Sequence, residues 1–123
     1  MDFLLDFTIQ ERVETLLQKL DLPHIKAESL TCMKSEGSKS NAIARIWGLS
    51  RNWQMALGVG PHYIIEVISR RFDKLSEEEK DKVLIHELLH IPKTFSGALV
   101  PHRCFGKERV GEKEVERLYN RVK

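Results

Sequence analysis

His86 and His90 stand four residues apart, and a carboxylate, Glu87, directly follows the first. On a helix, positions i and i+4 share one face a turn apart, so both imidazoles can reach one metal ion. The intervening Glu is not required as a ligand. Beside an open coordination position it can take a proton from a water that the metal activates. That is the chemistry of metal-assisted hydrolysis, with His86 and His90 as ligands and Glu87 as general base. A string of this kind arises by chance in about one shuffled sequence in fifty of this composition, so its surroundings must decide its meaning.

The first requirement is a helix. Ser76 followed by Glu79 forms a capping box, and Glu77, Glu78 and Glu79 suit the positive end of the helix dipole. Val83, Leu84, Ile85, Leu88, Leu89 and Ile91 spread apolar positions around much of the circumference, which predicts a mostly buried helix. Pro92 stops it. The His-Glu-x-x-His string therefore falls in the last turns of a helix of about four turns.

The second requirement is a third ligand, because a catalytic zinc takes three protein groups and one open position. His102 is the leading candidate. It follows a segment bracketed by Pro92 and Pro101, in which Gly97 lets the chain turn back. Cys104, Glu108 and Glu112 are rivals of the right chemical type at plausible distances. The interval after His90 is longer than the short metzincin spacing. For a donor to the developing oxyanion the available types are Arg103, Tyr63 and Tyr119.

The chain must also be able to house such a site. Its 123 residues suit one domain, 1–123, with a core that needs no disulfide staples. A hydrophobic content of 41% with 31% charged residues is that of a globular protein in water. No run reaches the length of a membrane span, so no membrane partner is expected. Met1-Asp2-Phe3-Leu4-Leu5-Asp6 carries acids and no basic region, unlike a signal peptide. Cys32 and Cys104 read as free thiols, and the expected location is the cytoplasm.

The other elements follow from periodicity and turn chemistry. Thr8 and Glu11 read as a capping box opening a helix to about Leu20, with Ile9, Val13, Leu16, Leu17 and Leu20 facing the core. A loosely alternating strand is expected within Ile25 to Met33, and a second from Ala42 to Trp47. Ser50 opens a short helix over Arg51 to Leu57, closed by Gly58. His62 to Ile68 is the clearest strand, and as an edge strand it could pair with an extended peptide. Val110, Val115, Leu118, Tyr119 and Val122 predict a final helix. The order gives an α+β fold in which a sheet of about three strands packs on the helices.

At this point a resemblance becomes specific. The stretch Tyr63 to Phe105 resembles the phage and archaeal metallopeptidase family, above all in His86-Glu87-Leu88-Leu89-His90-Ile91-Pro92 and Ser96-Gly97-Ala98-Leu99-Val100-Pro101-His102. Trp47-Gly48-Leu49 and Trp53-Gln54 are similar to that family too, so the likeness covers most of the chain beyond the first helix. The family is related more distantly to SprT-like zincin proteases. The resemblance implies a zincin-like fold, one Zn2+ held by His86, His90 and His102, Glu87 as the catalytic carboxylate, and a polypeptide substrate. The chain lacks the zinc ribbon or separate DNA-binding region of larger SprT-like proteins.

Two other classes fit the residues less well. Small three-histidine endoribonucleases have Gly where this chain has Glu87 and a short spacing to the last His, and both differences argue against that reading. A non-catalytic metal-binding or nucleic-acid-binding module draws support only from the basic excess of the segment Arg103 to Lys123. The net charge is only +2, and no nucleic-acid-binding motif accompanies the excess.

Overall fold

The computed structural model describes the backbone of residues 1–104, 107, 108 and 110–123, and the side chains of 1–102 and 110–123. The chain opens with a short strand, β1 (Asp2–Leu5), that periodicity could not reveal, since all four residues are exposed and none alternates with a buried one. Helix α1 (Phe7–Lys19) follows. Its cap is Asp6, whose carboxylate accepts the Ile9 N–H at 3.0 Å, so the expected cap Thr8 lies inside the first turn. Ile9, Val13 and Leu16 bury the predicted stripe.

A 3-10 turn over Ala27–Ser29 delays the next strand, β2, to Leu30–Glu36, five residues later than the sequence reading began it. Then come β3 (Ala44–Gly48), α2 (Arg51–Leu57), β4 (Tyr63–Ile68) and a single turn α3 (Ser69–Phe72). Helix α4 (Glu77–Leu89) carries the motif, with the capping box made in both directions between Ser76 and Glu79. A two-stranded pairing of β5 (Arg103–Cys104) with β6 (Lys107–Glu108) precedes α5 (Glu112–Val122). Among the described residues no helix is long and apolar enough to cross a membrane.

The sheet has four strands in the order β1-β2-β4-β3, with β4 parallel to β2 and antiparallel to β3. That is one strand more than the three expected, and the order decides between an edge and a central place for the His62 to Ile68 run, which the sequence left open. The strand Tyr63–Ile68 is central, because its near-continuous apolar run is buried on both faces. The edge belongs to β3. One sheet face, with Leu30, Cys32, Tyr63, Ile65 and Val67, packs on α1, α4 and α5 through Val13, Leu16, Leu84, Ile85, Leu88, Val115 and Leu118. Arg12 ties α1 to α4 by pairing with Glu77 and, at 2.8 Å, with Asp81. Cys32 is a free thiol inside this core, its pKa pushed up to about 12 by burial.

The opposite face of β4 holds a buried charge. Glu66 is 1% exposed, and it accepts from Arg45 Nε at 3.1 Å and from Trp47 Nε1 at 2.9 Å, both on β3. Burial pushes its carboxyl up, but the neighbouring Ser35 hydroxyl, Trp47 and Arg45 together outweigh it and hold the pKa below the ordinary value of 4.5. A carboxylate whose pKa falls on folding contributes stability above its unfolded pKa and loses it as pH drops through the folded one. Glu66→Gln should therefore cost about 1–3 kcal/mol near neutral pH. It should also flatten the loss of stability below pH 4.5, as read by urea unfolding across a pH series.

Candidate metal centre

The site is assembled from two pieces of chain that differ in kind. His86 lies in the last turn of α4, and His90 is its C-cap, still in helical conformation with its N–H on Glu87 O at 3.1 Å. The helix thus supplies one pair through its own geometry. The third imidazole comes from the loop. After Pro92 the chain turns at Phe95 and Gly97, both at positive φ, and comes back alongside the helix end, where Val100 N–H donates to His90 O at 2.7 Å. Two residues later stands His102.

The ring nitrogens of His86, His90 and His102 lie within 4.8 Å of one another, and no other such cluster of three occurs among the described residues. His86 Nε2 is 3.2 Å from His102 Nε2. Two nitrogens on a tetrahedral zinc are separated by about 3.3 Å, given Zn–N distances of about 2.0–2.1 Å. The donor set fits a zinc-type ion on that ground and on its chemistry. His90 Nδ1 is 2.6 Å from Val100 O, to which it donates, and this leaves Nε2 as the nitrogen with a lone pair available to a metal. Burial, followed by the charges of His90 and His102, lowers the pKa of His86. Burial also lowers that of His90, against the hydrogen bond to Val100. Both shifts favour the neutral imidazoles that bind metals.

Glu87 turns to the same cavity. It is 7% exposed, and burial pushes its carboxyl up to about 7. The cavity, of about 930 Å³, is lined by His86, Glu87 and His102 together with Ile43 and Ala44 at the start of β3. The other two histidines are engaged elsewhere, His24 with Ile91 O and His62 with Thr31 Oγ1.

The profile of the family described as putative phage metallopeptidase matches residues 1–123. The chain belongs to that family. No curated protein and no solved structure matches it. His86, Glu87 and His102 line that cavity and His90 completes the imidazole cluster, a donor set that could hold the metal a metallopeptidase needs. Of the rival third ligands, the side chains of Cys104 and Glu108 lie outside the described residues, while Glu112, at the start of α5, lines the cavity but does not join the three-histidine cluster.

The proposed oxyanion donors fare differently. Tyr63 is fully buried, and its hydroxyl is already committed, accepting Gly97 N–H at 2.8 Å and donating to Ala98 O at 2.7 Å. It is therefore not free to meet a substrate. Tyr119 lies on α5 with Lys82 over its ring at 5.0 Å. The Arg103 side chain lies outside the described residues. Nothing in the sequence marks β3 as the sheet edge beside the cavity. Its signal was only a short run, Ala44–Gly48, with no mark to distinguish an edge strand from a central one.

Proposed function

We propose that this metallopeptidase is a zinc-dependent endopeptidase of zincin-like fold, distantly akin to SprT-like proteases, that cleaves extended polypeptide. One observation carries the reading: three imidazoles from a helix and a separate loop converge beside a buried carboxylate at the end of an open sheet edge. His86, His90 and His102 would hold the metal. Bound zinc would supply a Lewis acid that polarises the scissile carbonyl and makes the attacking water more acidic. Glu87 would accept that water's proton and return it to the departing amine.

The substrate would lie along β3. Ile68 N–H bonds to Ile43 O and Leu49 N–H to His62 O, each at 2.9 Å, and these two pairs frame the β3–β4 register. Bonded and non-bonded pairs alternate in an antiparallel ladder, so Arg45 and Trp47 turn their backbone groups to β4. Ala44, Ile46 and Gly48 turn theirs to the free edge. An extended peptide can add there as a further strand, its backbone held without regard to sequence. Ala44 also lines the cavity with the histidines, which would bring a peptide bond to the site.

The test is direct. Purified protein should contain about one zinc per chain and cleave an unfolded polypeptide. Cleavage should stop on chelation and return with added zinc. A metal-loaded protein that leaves unfolded substrates intact would defeat the proposal.

A further inference from the structure

Gly48, Leu49 and Gln54, none of which supplies a reacting group, converge on the loop that brings His102 to the site. Helix α2 buries none of its residues. It nevertheless sends Gln54 inward, where both amide hydrogens are used: Nε2 donates to Leu49 O at 2.7 Å and to Ser96 O at 2.8 Å. On the other side Tyr63 bonds both Gly97 and Ala98, and its ring lies 5.0 Å from that of Phe95. Gly48 and Gly97 pack so closely that a Cβ on Gly48 would overlap Gly97 O, and one on Gly97 would overlap Leu49 O. Three successive residues, Ser96, Gly97 and Ala98, are thus fixed from two elements distant in sequence.

We propose that Gln54 and Tyr63 are positioning residues for the third ligand, His102. The inference rests on the three-histidine reading of the metal site. A loop that turns through two positive-φ residues has no helix or ladder to hold its shape. Its conformation must come from bonds to its neighbours. With residues 96–98 clamped, Val100 is delivered to His90 and His102 to the helical pair. Without the clamp the loop would sample other shapes, and the helix would present two ligands where three are needed. Ordering the loop before the metal arrives removes an entropic cost from binding.

Gln54→Leu keeps the side-chain size and removes both donors. Zinc affinity, measured by chelator competition, should fall about tenfold to a hundredfold, as expected when a supporting partner of a ligand is lost. The visible spectrum of the cobalt(II) form should lose intensity as water replaces an imidazole. The metal-free protein should unfold at nearly the wild-type midpoint, since α2 buries no residue. A merely structural role would move that midpoint and leave the cobalt spectrum alone. Tyr63→Phe should act in the same direction, and Gln54→Leu decides the matter if the buried Tyr63 variant does not fold. His102→Ala separates the two levels of the argument. If it leaves affinity intact, the three-histidine site itself is wrong and this role falls with it. If it weakens binding while Gln54→Leu changes neither affinity nor spectrum, only the positioning role is overturned.

Discussion

Glu87→Gln is expected to keep its zinc and lose its peptidase activity. The nitrogens of His86, His90 and His102 form the cluster without it, so an amide at 87 removes no ligand. It does remove the carboxylate that faces the cavity, which the proposed mechanism uses as proton acceptor. Loss of a positioned general base typically costs about 10²–10⁴ in rate, so kcat/KM should drop by at least that range's lower end. Folding should not suffer. Burial raises the Glu87 pKa to about 7 in the metal-free protein. An acid whose pKa rises on folding weakens the fold once pH exceeds its unfolded pKa. A neutral amide relieves that burden, so the metal-free variant should unfold at or above the wild-type midpoint near neutral pH. Elemental analysis, unfolding and cleavage of an unfolded substrate report the three expectations separately. Full activity in a metal-loaded Glu87→Gln protein would remove Glu87 from the mechanism.

His90→Ala should have the other large effect, and on a different quantity. It deletes one of three nitrogens and also breaks the bond between Nδ1 and Val100 O. Affinity should fall by more than the roughly hundredfold that an outer partner can cost. Thermal unfolding gives a readout independent of catalysis. A ligand at a hundred times its Kd stabilises the state that binds it by about 2.7 kcal/mol. For a chain of this size that corresponds to a rise in Tm on the order of 10 °C. Wild-type protein should show such a rise with zinc, and His90→Ala should show almost none at the same concentration. An undiminished zinc-dependent rise in the variant would place the metal elsewhere. The same comparison with His86→Ala tests the helical pair as a pair, since the two rings are one turn apart on a single element.

The helical half of the site could be read from the residues alone because its geometry is local. Ser76 and Glu79 set the start of α4, Pro92 limits its end, and a spacing of four does the rest. No distant contact is needed to place His86 near His90. The core stripe of α1 and the apolar run of β4 were legible for the same reason: periodicity records which face is buried. Where local signals competed, the reading slipped by a few residues, as when Asp6 rather than Thr8 took the cap of α1.

What no local pattern held was the order of strands and the course of the loop. β4 and β3 are each short apolar runs, and only pairing makes β4 central and leaves β3 with a free edge. β1 escaped notice because it buries nothing. His102 was the leading candidate by type and spacing, but its approach to His86 depends on hydrogen bonds from Gln54 and Tyr63, which lie far from it in sequence. Tyr63, a possible substrate donor by residue type, proves to spend its hydroxyl on that loop. The sequence by itself determined that His86, Glu87 and His90 stand together at one helix end, since a spacing of four on a capped helix needs nothing beyond the helix. Tertiary structure decided which edge is open and how the third imidazole arrives, because strand pairing and loop shape are set by contacts between residues that the chain keeps far apart.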